Sequence, residues 1–77
     1  MPYHIEDGVI RVVFKRGITQ AEALNTISRL GCEAKDFTSY VSMNVIVHVP
    51  QGKEADFAER FLREPNVAIA ATIHKEH

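Results

Sequence analysis

The sequence predicts an α+β domain of ferredoxin-like plan, with elements in the order β-α-β-β-α-β and both helices on one face of a four-stranded antiparallel sheet. Three observations carry that prediction. A β-type run, Val9 to Phe14, leads into a well-capped helix, Thr19 to Leu30. Two further β-type runs follow without a helix between them. A second helix, about Lys53 to Arg63, then leads into a last β-type run, Val67 to Ile73.

Each element has its own justification. Residues 1–8 read as a loose leader, with Gly8 opening the first strand. In that strand Ile10, Val12 and Phe14 share one face, and Val9, Arg11, Val13 and Lys15 share the other, because side chains alternate along a strand. Lys15-Arg16-Gly17 ends it. Thr19 followed by Glu22 is a capping box, in which each residue satisfies a backbone amide of the other. Ile18 and Ala23 occupy the two staple positions. Ala23, Leu24, Ile27 and Leu30 form an apolar stripe at helical spacing, and Gly31 supplies the left-handed residue that closes the helix.

Glu33 to Tyr40 reads as a strand whose Ala34 and Phe37 break strict alternation, so it calls for a bulge or an edge position. The turn falls within Ser39–Asn44. Val45, Val47 and Val49 then face one way, with Asn44, Ile46 and His48 on the other side, and Pro50-Gln51-Gly52 ends the strand. The second helix sets Phe57, Phe61, Ala58 and Leu62 inward. Lys53, Glu54, Asp56, Glu59, Arg60 and Arg63 are expected on its wet side, and Pro65 stops it. In the last strand Val67, Ile69, Ala71 and Ile73 are expected on one face and Ala68, Ala70, Thr72 and His74 on the other. Residues 75–77 read as a polar tail.

A length of 77 residues allows one domain, spanning 1–77. A domain of about that size buries only roughly 60% of the surface its unfolded chain exposes, so a partner would help it. A net charge of −1, from nine basic and ten acidic residues, gives a phosphate backbone little to hold, which excludes nucleic acid as the expected partner. No apolar run approaches the roughly 18 residues a membrane helix needs, so no membrane is expected. The opening Met1–Asp7 has no basic-then-apolar character, so no secretory signal is expected and the cytoplasm is. Cys32, the single cysteine, can form no internal disulfide.

No catalytic set can be assembled. The four histidines do not have the spacing of a metal site, and Cys32 has no base beside it in sequence. Gly8, Gly17, Gly31 and Gly52 are isolated, so no phosphate loop exists. No enzyme, cofactor or metal is expected. Function must then reside on the sheet face turned away from the helices. With the strand order 4-1-3-2, Ile10, Val12, Phe14, Val45, Val47, Val49, Val67 and Ile69 form the core side, with Phe37 a further candidate. The open side collects Val9, Arg11, Val13, Ile46, His48, Ala68, Ala70 and Thr72. A solvent-washed antiparallel face is normally more polar, and apolar patches mark interfaces. Arg11 and His48 could hold an anion there.

The residues also resemble a known family. Ile10-Arg11-Val12-Val13-Phe14-Lys15 resembles the opening strand of subtilisin-type propeptides and their stand-alone relatives, the inhibitor I9 group. Leu30-Gly31-Cys32-Glu33-Ala34 is similar to that family's helix end and second strand. Met43-Asn44-Val45-Ile46-Val47 is similar to the entry to its third strand. Arg63-Glu64-Pro65-Asn66-Val67-Ala68 resembles the charged stretch before its last strand. The resemblance covers about residues 9 to 74. It implies a non-catalytic protein that docks its open sheet face on a subtilisin-type serine protease as inhibitor or chaperone. It also implies a C-terminal segment, His74, Lys75, Glu76 and His77, that enters the cleft as an extended strand. Two other readings stand beside it. One is a small module that dimerises through the sheet face. The other is a ligand-sensing domain of the ACT type, with an anion held near Lys15-Arg16-Gly17-Ile18 at the first helix N-terminus.

Overall fold

The computed structural model describes the backbone of residues 3–39 and 43–76 and the side chains of 8–38 and 43–73. Its elements are β1 (Tyr3–Phe14), α1 (Gln20–Arg29), β2 (Glu33–Ser39), β3 (Met43–His48), α2 (Glu54–Leu62) and β4 (Val67–Glu76). The sheet has the order β2-β3-β1-β4, and every neighbouring pair is antiparallel. This is the ferredoxin-like plan, with the two helices packed against one side. No helix among the described residues is long and apolar enough to cross a membrane.

Local chemistry sets the helix ends. Thr19 accepts a hydrogen bond from Glu22 N, and the Glu22 carboxylate accepts one from Thr19 N, so the capping box is complete. At the other end Gly31 adopts φ +79°, and its N–H donates to Ser28 O while Cys32 N donates to Ile27 O. Those two bonds are the Schellman closure, which a glycine at that position permits.

The core is built from Ile10, Val12, Phe14, Val45 and Val47 on the sheet, Ala23 and Ile27 on α1, and Ala58 and Phe61 on α2. Partly buried Phe37 packs against it. The α1 stripe differs from expectation: Leu24 is exposed and Thr26 is buried instead. Thr26 lies three residues from Ala23 on the inner face. Its hydroxyl donates to Glu22 O and accepts from Asn66 Nδ2, so its burial leaves no loose polar atom. On α2, Leu62 is exposed and Glu54 is buried, the reverse of the expected sides.

Two bulges decide which residues face where. In β2 the register shifts between Ala34 and Asp36, so Lys35 is the extra residue. Ala34 and Phe37 thereby fall on the core side together, which explains the broken alternation. In β4, Val13 pairs with Ile69 but Phe14 pairs with Val67, so Ala68 is the extra residue. A one-residue slip turns every later side chain over. Hence Ile69 and Ala71 lie on the open side, while Ala70, 7% exposed, belongs to the core and Thr72 pairs with core residue Ile10. The expected placement of Ala70 and Thr72 on the open face, and of Ile69 in the core, is corrected by this bulge.

The chain ends differ too. Tyr3, His4 and Ile5 pair with Glu76, Lys75 and His74, so the expected leader and tail are a two-stranded ribbon continuing β1 and β4. Between that ribbon and the body, β1 carries Glu6–Val9 opposite a single β4 residue, and Gly8 takes φ +76° at this irregularity. Gly8 O accepts from Val49 N, and Gly8 N donates to the Glu54 carboxylate at 2.7 Å.

Candidate functional site: the open sheet face

The registers define the face row by row, since directly opposed residues share a side. One row runs Thr38, Asn44, Val13, Ile69; the next runs Asp36, Ile46, Arg11, Ala71; a third begins Glu33, His48, Val9. Ile73 follows Ala71 two residues along β4 and takes the same side. The face is therefore graded across its width. Acidic and hydroxyl groups line the β2 edge, and Ile69, Ala71 and Ile73 line the β4 edge.

Arg11 stands at the centre and is exposed. Among the described residues it forms no ion pair. A hollow of about 180 Å³ on one side is lined by Arg11, Ala71, Thr72 and Ile73. A second of about 230 Å³ on the other side is lined by Arg11, Thr38, Asn44 and Ile46. Val9 is 4% exposed although it shares this side and lies outside the main core cluster. Ile69 is 55% exposed, the most exposed of the large apolar residues described.

The structure brings Arg11, Val13, Ile46 and His48 together on this face as expected. Ala68 is exposed at the bulge. Ala70 is turned to the core, while Thr72 pairs with core residue Ile10 and also borders the hollow beside Arg11. His74, Lys75 and Glu76 have their backbone paired with β1 and do not form a free tail, and His77 lies outside the described residues. Ile69, Ala71, Ile73, Asp36 and Thr38 are face residues that sequence reasoning missed. An uninterrupted run such as Val67-Ala68-Ile69-Ala70-Ala71 gives no sign of where a bulge falls. In β2 the broken alternation gave that sign.

The other candidate chemistry is occupied or inert. The α1 N-terminus, the anion site that the ligand-sensing reading requires, already carries the Glu22 carboxylate. The amide of Thr19 holds that carboxyl below its ordinary value of 4.5, with the Thr19 hydroxyl adding to the effect. Cys32 is buried, and burial pushes its thiol above the usual range, partly offset by Arg60. A thiol so placed is a poor nucleophile. Among the described residues no group of three or more His, Cys, Asp and Glu is arranged to hold a metal ion. In comparisons with known proteins, no family model, no curated protein and no solved structure matches this chain.

Proposed function

We propose that this chain is a non-catalytic binding module that meets a protein partner through its open sheet face, and that the partner is a subtilisin-type serine protease. The observation that supports the docking reading is the exposure of Ile69 beside Val13, in line with Ala71 and Ile73 and one row from Ile46. A face of that composition loses apolar area from water on docking, at roughly 25 cal/mol per Å². Arg11 at its centre supplies a directional contact, as arginines do in interface hot spots. The protease class rests on the resemblance of residues 9–74 to subtilisin propeptides.

In this reading the face carries the docking, and His74–Glu76 reach a cleft only after leaving Tyr3–Ile5. The test is a subtilisin inhibition assay with the intact chain and with Ile46→Asp and Ile69→Asp. Inhibition by the intact chain is expected, weakened about 30-fold by each substitution, the scale of an interface hot spot. Absence of inhibition and of binding at about 100 µM would remove the protease as partner.

A further inference from the structure

The two edges of the sheet are built differently, and the difference points to a second copy of this chain. Both β2 and β4 are edge strands. Natural edges are guarded by charges, bulges or cover, because unpaired backbone groups otherwise recruit another strand. The β2 edge is guarded: Lys35 sits at its bulge and Asp36 follows. The β4 edge has one bulge, at Ala68, and then runs Ile69-Ala70-Ala71-Thr72-Ile73 with no charge, proline or glycine. Among the described residues nothing pairs with its outer side.

A second observation lies on the helix layer. α2 packs over β4 and β1. Phe57 and Leu62 lie on opposite flanks of its buried stripe, Glu54, Ala58 and Phe61. Phe57 packs against the core and carries the Arg60 guanidinium 4.9 Å from its ring centroid, and the Arg60 charge acts on Cys32 just before β2, so this flank faces α1 and β2. Leu62, 50% exposed, is on the other flank, and because α2 packs on β4 and β1 at the end of the order β2-β3-β1-β4, that flank is the one toward the free edge of β4. Two of the three large exposed apolar residues described, Leu62 and Ile69, thus border one strand edge, above and below the sheet.

We propose that β4 pairs antiparallel with β4 of a second copy about a two-fold axis beside Ala71, forming a continuous eight-stranded sheet. The spacing supports this occupant. Paired strands lie about 4.8 Å apart. A helix seated between β1 and β4 then meets its symmetry mate at about 10 Å, the ordinary packing distance of two helices. Leu62 fills that seam, and on the opposite side Ile69 of each copy meets Ile73 of the other. Such a contact is isologous, so it closes at two subunits. A contact of this kind has to bury on the order of 1,000 Å² in total to hold a reversible dimer. It takes up the β4 margin of each open face, Ile69 and Ile73, and leaves Arg11, Val13 and Ile46 uncovered; it does not depend on the protease reading.

The experiment is sedimentation equilibrium of the intact chain from about 1 to about 300 µM, with hydrogen exchange of the β4 amides at both ends of that range. A monomer–dimer equilibrium is expected, with protection of Ile69–Ile73 rising with concentration. Leu62→Lys, at an exposed position, weakens dimerisation at least about 10-fold, while Ile46→Asp at the centre of the open face leaves it unchanged. A monomer throughout the range overturns the proposal. So does a dimer that Ile46→Asp abolishes and Leu62→Lys does not touch, which would place the contact on the sheet face.

Discussion

Glu54 holds two distant pieces of the chain together. Its carboxylate accepts Gly8 N–H at 2.7 Å and Gly52 N–H at 3.0 Å, tying the irregularity in β1 to the start of α2. The Gly8 bond, assisted by amides at Glu54 and Gly52, holds its pKa below the ordinary 4.5. A depressed carboxyl contributes stability that is present above the unfolded value and lost as pH falls through the folded one. Glu54→Gln is therefore expected to lower Tm at pH 7, with the gap from the unsubstituted chain closing as pH falls below 4.5. Thermal unfolding from neutral to acid pH checks it; a gap that stays constant with pH would mean the charge is irrelevant. The sequence placed Glu54 on the wet side of its helix, which is where its neighbours belong. Its partner Gly8 lies 46 residues away, and periodicity within α2 carries no information about it.

At the scale of elements, the two bulges set apart what was legible from what was not. In β2, Ala34 and Phe37 cannot both face the core in a regular strand, so the sequence demands an irregularity and the structure has one at Lys35. The capping box and the glycine closure of α1 were equally legible, because every partner lies within five residues along the chain. In β4 all nearby residues are small or apolar and suit either face, so the slip at Ala68 left no trace in the pattern. The corrected faces give an opposed pair of outcomes. Ala70→Asp buries a carboxylate against the core and is expected to cost about 3–5 kcal/mol. Ile69→Asp removes an exposed side chain and is expected to cost under about 1 kcal/mol. Urea unfolding of both variants distinguishes this register from the regular one, which demands the reverse order.

For the whole molecule, the ribbon made by the two chain ends governs what the open face can do alone. Tyr3–Ile5 pair with His74–Glu76 beyond the four-stranded body, and the irregularity at Glu6–Val9 separates that pairing from the core. Among the described residues this part of β1 pairs with β4 alone, and a lone two-stranded ribbon is marginally stable, so it is expected to open locally at lower cost than the domain unfolds. Removing residues 1–7 leaves Gly8 and its bond to Glu54 in place but deprives His74–Glu76 of their strand partner. The shortened chain is expected to keep its fold, with a Tm only a few degrees lower, while the amides of His74–Glu76 lose protection from hydrogen exchange. The same variant separates the two parts of the protease reading. If the C-terminal segment enters a cleft, it must first break its pairs with Tyr3–Ile5, and deleting them strengthens inhibition. If the face alone docks, inhibition by the shortened chain equals that of the intact one. Cooperative loss of the whole fold on this deletion would show instead that the ribbon is part of the core, and that the sheet depends on its ends as much as on Val12, Val45 and Ala70.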